Sequence, residues 1–126
     1  MIEQSGDAAA DPAAFEVGKH QVDHAVVVTV SGEVDMLSAP QLAEAIRTAL
    51  AAEPAALIID LSKVDFLASA GMTVLVTAQS EVVAPTRFGV VANGAATSRP
   101  IKLMGLDNVL SLYSTLDSAL SHIADG

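Results

Sequence analysis

Ser69 is the residue of this chain whose position is most suggestive of chemistry. It follows LIIDLSKVDFLA, residues 57–68, and opens the apolar segment AGMTVLV, residues 70–76. A serine where an apolar strand gives way to a helix lies near unpaired backbone N–H groups and at the positive end of the helix dipole. Its hydroxyl either caps the helix or accepts a phosphoryl group, and serine is a favoured cap. Both roles stay open, because one hydroxyl can cap until it is modified.

Four carboxylates lie near the predicted ends of two strands. Glu33 and Asp35 follow the strand at residues 25–31, and they are either solvated loop acids or part of an acidic docking face. Asp60 is interpreted as a turn former at a strand end, and Asp65 as solvent-exposed. Paired carboxylates can bind a cation, but no other ligand pattern accompanies them, and we expect no metal site.

Two apolar residues flank Ser69 in the sequence. We expect Leu67 and Met72 to be exposed and to form an apolar docking patch beside the hydroxyl.

Phosphorylation of Ser69 would change the charge beside this patch. A phosphoryl group adds a charge of about −1.5 to −2 at neutral pH. The helix dipole would accommodate that charge within the domain, whereas a docked partner would have to bury an unpaired dianion.

A serine hydrolase is a weaker interpretation of the same residues. Ser69, Ala70 and Gly71 resemble a nucleophile elbow, but that motif needs a glycine where this chain has Leu67. His122 is the one histidine downstream, almost at the C-terminus, and the three histidines (His20, His24 and His122) lack metal-ligand spacing. We therefore expect no enzymatic activity.

Composition excludes several other classes. The 126 residues suit one domain. A net charge of −9, six Lys+Arg and 3% aromatic residues argue against nucleic-acid and anionic-lipid partners. Arg99 and Lys102 could meet a phosphate, but two such cations on a helix are usually only solvated. Without cysteine, disulfides and thiolate chemistry are excluded, and without a signal segment or long apolar run we expect a cytoplasmic protein.

The elements that must position these residues alternate along the chain. Residues 1–14 are predicted to be a flexible tail and residues 15–126 the domain. Strands are predicted at 15–20, 25–31, 56–61, 87–92 and 109–113, with residues 32–35 as a loop. Helices are predicted at 39–52 with Ser38 as cap, at 69–82, from Thr97 or Ser98 to Gly105, and from Ser114 or Thr115 to Ile123. The order β-β-α-β-α-β-α-β-α indicates an α/β fold with a mixed sheet.

Three segments together resemble the STAS domain family, and most closely the bacterial anti-sigma factor antagonists. VSGEVD at residues 30–35 resembles the family's x-G-E-L-D. LIIDLSKVDFLASAGMTVL at 57–75 resembles a strand followed by D-L-S-x-V-x-F-x-D-S-S/T-G-L-x-x-L. PIKLMGLDNVLSLYSTLDSAL at 100–120 resembles the family's helix, G-L, strand and final helix. The resemblance covers Val26 to the C-terminus and implies a STAS-like mixed β-sheet with helices packed mainly on one face.

The resemblance also implies a function and a site. Ser69 matches the serine that the partner anti-sigma factor, a serine kinase, phosphorylates in the family. The unphosphorylated form binds that kinase and releases the sigma factor, phosphorylation breaks the complex, and a phosphatase restores it. The family's partner contacts imply a partner-binding role for Glu33, Asp35, Leu67, Ala68, Ala70, Gly71 and Met72, with no cofactor.

Two positions depart from the family pattern. Ala68 replaces the usual aspartate before the serine, and Ala70 replaces the serine or threonine after it. Neither bears on the fold, but both bear on phosphorylation. The alternative is a STAS scaffold that is not phosphorylated, or an accessory subunit of a signalling or transport complex, in which Ser69 is only a cap.

Overall fold

A computed structural model describes residues 15–125 and shows one mixed sheet with four helices. The strands are β1 Glu16–Val22, β2 Ala25–Val34, β3 Ala56–Leu67, β4 Arg87–Val91 and β5 Leu112–Tyr113. The helices are α1 Ala39–Ala51, α2 Ser69–Glu81, α3 Ser98–Leu103 and α4 Leu116–Asp125, with a 3-10 turn at Leu106–Asn108. The predicted order of elements is confirmed. The predicted tail, residues 1–14, lies outside the described residues.

The sheet runs β1-β2-β3-β4-β5, with β1 antiparallel to β2 and all other neighbours parallel. Three helices share one face, because residues from α1, α2 and α3 join one buried cluster with alternate residues of the strands (among them Val28, Ile59, Leu42, Leu75 and Ile101). The opposite face carries a smaller cluster under α4 (among them Val27, Ile58, Ala119 and Ile123). Helices therefore pack mainly on one face, as predicted. The first four residues of β2 and of β3 (25–28 and 56–59) are all apolar because both faces of the sheet are covered there.

The two central strands extend beyond their predicted ends. β3 continues to Leu67 rather than stopping at residue 61, and β2 continues to Val34 rather than becoming a loop at residue 32. The register slips where Thr29 pairs with Asp60 but Ser31 pairs with Lys63, which is a bulge in β3. Polar residues at this bulge gave the segment the sequence appearance of a turn.

Asp60 lies at that bulge and not at a strand end, so its predicted role is corrected. Its Oδ1 accepts a hydrogen bond from the Ser62 backbone N–H at 3.0 Å, which supplies a partner at the point where the ladder is interrupted. A second irregularity follows at Gly32, whose φ of +88° favours glycine. Past both irregularities, Val34 pairs with Leu67, so the two strands end side by side.

Smaller differences occur at the outer strands. β1 reaches Val22, two residues further than predicted, because the antiparallel pairing with β2 continues to the turn. β5 begins at Leu112 rather than at residue 109, since the 3-10 turn and a short loop precede it. No helix in the described part of the chain is long and apolar enough to cross a membrane.

Candidate functional site

The carboxyl ends of β2, β3 and β4 lie at one edge of the sheet because these strands are parallel. Ser69 is exposed at this edge, two residues after the last residue of β3. Ala68 links the two, and its backbone N–H donates to the Val34 carbonyl oxygen at 2.8 Å. The start of α2 is therefore held directly against the end of β2.

Ser69 is the first residue of α2 and does not cap it. Ala68 has the extended backbone of the cap position, with φ −82° and ψ 170°, and its side chain makes no capping hydrogen bond. A side chain caps effectively from that position because there it reaches back to the N–H groups of the first turn. Of the two roles left open for Ser69, capping is therefore wrong, and within residues 15–125 its hydroxyl has no hydrogen-bond partner.

The loop after β2 is held by an Asp–Ser pair. Asp35 Oδ1 accepts hydrogen bonds from the backbone N–H groups of Leu37 at 2.9 Å and Ser38 at 3.0 Å. The Ser38 hydroxyl is buried, accepts from the Asp35 N–H at 2.9 Å and donates to the Glu33 carbonyl oxygen at 2.9 Å. Hydrogen bonding from the Ser38 backbone N–H, followed by that from Leu37, lowers the pKa of Asp35 below its ordinary 3.8.

Ser38 therefore occupies its predicted cap position before α1, but its hydroxyl serves the preceding loop instead of the helix. The loop exposes two large apolar side chains, Met36 and Leu37. Sequence reasoning missed both, although two apolar residues between an aspartate and a serine in a turn were a usable signal. Glu33 is exposed and Asp35 half-buried beside them.

The apolar residues expected to flank Ser69 on the surface are instead buried. Leu67 is 4% exposed and Met72 is 8% exposed, so their predicted exposure is wrong. Pairing with Val34 places Leu67 on the core face of β3, which leaves its neighbour Phe66 half-exposed on the other side. Met72 joins the main core beneath α2.

Gly71 is also buried and sets the distance between α2 and the sheet. A Cβ at this position would lie 2.6 Å from Val34 Cγ1 and 2.7 Å from Leu67 Cδ1. Such distances are far shorter than ordinary carbon contacts, so only glycine allows this approach. Ala68 and Ala70 are half-buried. The predicted partner-binding residues thus divide into an exposed group and a supporting group beneath it.

His122, the one histidine that follows Ser69 in the sequence, does not lie near Ser69. His122 lies on α4, across the sheet from α2, and its Nδ1 is 3.0 Å from the Ser118 carbonyl oxygen. Its ring packs near Tyr113, with centroids 5.4 Å apart. Among the residues that the structure describes, no group of three or more His, Cys, Asp or Glu is placed to hold a metal ion. Asp65 is exposed, in line with its interpretation.

Comparison with known proteins gives consistent matches. A family model described as the STAS domain matches residues 16–119. Anti-sigma-F factor antagonist RsfB of Mycobacterium tuberculosis is 45% identical over 100 residues, which is 79% of this chain and 82% of the relative. The crystal structure of an anti-sigma factor antagonist from Mycobacterium paratuberculosis has 46% identity and a TM-score of 0.87, covering 90% of this chain and 97% of that one.

A more distant match shows the fold alone. Phosphorylated SpoIIAA, a Bacillus cell fate determinant, has 20% identity and a TM-score of 0.62, covering 87% of this chain and 99% of that one. The same mixed sheet and helices are therefore found at low sequence identity.

Proposed function

The chain belongs to the STAS domain family, and on that premise we propose that it is an anti-sigma factor antagonist. It binds an anti-sigma factor in the cytoplasm, so that a sigma factor is released. The relative that is 45% identical over most of the chain bears the name of such an antagonist. The observation that carries the proposal is an exposed serine at the start of α2, held beside a loop with exposed apolar side chains.

The docking surface that we propose is the Ser69 face, composed of Glu33, Asp35, Met36, Leu37, Phe66, Ala68, Ser69 and Ala70. Its exposed apolar side chains supply area to bury, and its carboxylates supply charges that a basic partner can match. Leu67, Gly71 and Met72 act from beneath, where they fix the height and angle of α2.

The finer proposal is that the anti-sigma factor is a serine kinase and that Ser69 is the residue it modifies. The Ser69 Oγ forms a bond to the γ-phosphorus of ATP, the bond from that phosphorus to the bridging oxygen breaks, and ADP leaves. The hydroxyl proton passes to a base on the kinase. The exposed, unbonded hydroxyl supports this step, since no hydrogen bond within residues 15–125 has to be broken first.

The added charge explains how such a modification ends binding. A phosphoserine carries about −1.5 to −2 charges, and it would stand among Glu33 and Asp35 on a surface that the partner covers. Burying an unpaired dianion costs several kcal/mol, and each ~1.4 kcal/mol is a tenfold change in affinity. In the free domain the phosphate is solvated and lies near the positive end of α2. Hydrolysis by a cognate phosphatase restores the hydroxyl and the binding surface.

The test uses paired baits and a charge control. We expect Ser69→Ala to retain the anti-sigma factor within about twofold, and Ser69→Glu to bind at least roughly tenfold more weakly. Ser80→Glu adds the same charge at the exposed far end of α2 and is expected to bind like the wild type. Incubation with the captured kinase and ATP, followed by mass spectrometry, would locate the phosphate. Equal binding by all four proteins would refute the switch.

A second candidate function follows from Ala68 and Ala70. Both are half-buried methyl side chains where the family has hydrogen-bonding groups, so no polar side chain directly adjoins Ser69 in the sequence. A STAS scaffold or accessory subunit that is never phosphorylated fits this observation. It predicts a stable large complex in size-exclusion chromatography and no phosphate on Ser69 after incubation with kinase and ATP.

A further inference from the structure

We propose that α3 and the residue after it form a second docking zone, which contacts an acidic and partly apolar surface of the same anti-sigma factor. This inference rests on the proposed function. The α3 zone is composed of Arg99, Lys102, Leu103 and Met104. None of these four residues belongs to the Ser69 face.

The α3 zone combines charge with exposed apolar area. Ile101 is fully buried and anchors α3 to the main core, which turns the opposite side of this short helix outward. Leu103 is 77% exposed and Met104 is 63% exposed. Arg99, Lys102 and Leu103 line one shallow hollow of about 420 Å³, together with Gly94, Ala95 and Ser98. Apolar side chains this exposed, gathered beside two cations, are typical of an interaction surface rather than of a solvated helix.

The charge of this zone contrasts with that of the chain as a whole. The net charge is −9, yet no carboxylate occurs in residues 92–106. Elsewhere, Arg47 pairs with Glu44 at 2.9 Å and the Arg87 guanidinium donates to the Ile123 carbonyl oxygen at 3.3 Å. Within the described chain, neither Arg99 nor Lys102 forms an ion pair. A complementary partner must therefore be acidic at this point.

The topology places this zone on the same edge of the sheet as Ser69. The loop before α3 leaves the carboxyl end of β4, just as α2 leaves β3 and the loop of Met36 and Leu37 leaves β2. β4 ends at Val91, which is level with Thr29 of β2, so β2 continues for another five residues to Val34. With about 4.8 Å between neighbouring strands and about 3.3 Å per residue along a strand, the ends of β2 and β4 are separated by roughly 20 Å. An interface of standard size, about 800 Å² per partner, spans that distance easily.

The edge is therefore polarised, with acids on one side of Ser69 and cations on the other. Glu33 and Asp35 follow β2, whereas Arg99 and Lys102 follow β4. A partner with the matching pattern docks in one orientation, because the reversed orientation juxtaposes like charges. This arrangement would place the kinase against Ser69 in a single orientation.

The experiment reverses the charge of Arg99 and Lys102 and compares the effect on binding with that of an equal charge reversal elsewhere on the domain. Arg99→Glu/Lys102→Glu is paired with Lys19→Glu/Lys63→Glu, whose exposed lysines lie on β1 and β3. Binding rates to the purified anti-sigma factor that the Ser69 baits retain are measured at 50 and 300 mM salt. We expect the α3 reversal to weaken binding by about tenfold or more, mainly because association is slower, and we expect salt to affect this variant less than the wild type. The control pair is expected to weaken binding by less than about threefold.

The outcomes separate the two proposals. If the wild type binds no anti-sigma factor, the proposed function fails and this inference fails with it. If Ser69→Glu weakens binding but the α3 reversal behaves like its control, only this inference is refuted.

A second copy of this chain could also occupy the α3 zone, and sedimentation at two protein concentrations tests for this. Self-association of the wild type that is lost in the α3 reversal would overturn the proposal. Circular dichroism checks that every variant is folded, and Leu103→Ser/Met104→Ser is expected to raise the dissociation rate.

Discussion

Ser69 and Ser38 show how two serines with the same sequence context acquire different environments. Each lies at the start of an apolar helical segment; the sequence predicts Ser38 as a cap and leaves capping as one of two roles for Ser69. The Ser38 hydroxyl is buried and bonded within the loop before α1, whereas the Ser69 hydroxyl is exposed at the first position of α2. Both residues are located at helix starts by the sequence, but Ser38 takes the cap position of α1 and Ser69 the first helical position of α2, and neither side chain caps its helix. These positions depend on where β2 and β3 end, and therefore on the register between the two strands.

Replacement of Ser38 is expected to destabilise the fold. Ser38→Ala leaves the Glu33 carbonyl and the Asp35 N–H without their hydroxyl partner in a poorly hydrated position, at a cost of about 1–3 kcal/mol. Urea denaturation measures this cost. Ser80→Ala, which loses one exposed hydrogen bond to the Thr77 carbonyl oxygen, should lie within about 0.5 kcal/mol of the wild type. Similar free energies of unfolding for the two variants would contradict the role assigned to Ser38.

Asp35 is expected to titrate below its ordinary value of 3.8, because the N–H groups of Ser38 and Leu37 favour the ionised carboxylate. A depressed pKa in the folded state contributes stability that is present above the unfolded pKa and is lost as the pH falls through the folded one. NMR should show the Asp35 carboxyl midpoint below 3.8, with the amide shifts of Leu37 and Ser38 following it. The difference in stability between wild type and Asp35→Asn should shrink across the same window. A midpoint above 3.8 would show that these hydrogen bonds do not form in solution.

At the scale of elements, the order of strands and helices could be predicted because each is a separate apolar segment with its own period and turn residues. The ends of β2 and β3 could not, because the bulge at Asp60 and the irregularity at Gly32 interrupt the alternation that marks a strand. The error spread to the site. If β3 ends at residue 61, as the pattern predicts, nothing in the local sequence fixes whether Phe66 or Leu67 faces outward.

The junction between α2 and the strands is expected to tolerate no side chain at Gly71. Gly71→Ala places a Cβ against Val34 and Leu67, and overpacking of this kind costs about 1–3 kcal/mol, offset by up to about 1 kcal/mol of helix propensity. Val34→Ala removes one of the atoms that the new methyl meets. In a double-mutant cycle followed by urea denaturation, Val34→Ala should therefore cost less in the Gly71→Ala background than alone. Additive effects would mean that the close approach is relieved elsewhere.

At the scale of the whole molecule, the two faces of the sheet are covered by different numbers of helices. Three helices close one face, while α4 alone closes the other through Ala119 and Ile123. Gly89 permits this second contact, because a Cβ there would lie 2.5 Å from Ile123 Cδ1. The final helix is therefore packed against the sheet as part of the folded domain.

Truncation of Ile123 is expected to destabilise the whole domain. Ile123→Ala opens a cavity against β3 and β4 and should cost about 2–5 kcal/mol, whereas Ile123→Val should cost about 0.5–1.5 kcal/mol. Both are measured by urea denaturation with probes on either side of the sheet. A single transition reported equally by both probes is expected, since one set of strands carries both clusters. Separate transitions would show that α4 unfolds independently.

The exposed hydroxyl of Ser69 also has an evolutionary consequence. Because the side chain neither packs in the core nor holds a loop, the position can change by mutation at almost no cost in folding. After a gene duplication, one copy could therefore lose regulation by phosphate and keep its docking surface, while the other retained both. A fold that separates the regulated atom from the residues that maintain its architecture allows signalling circuits to diverge one position at a time.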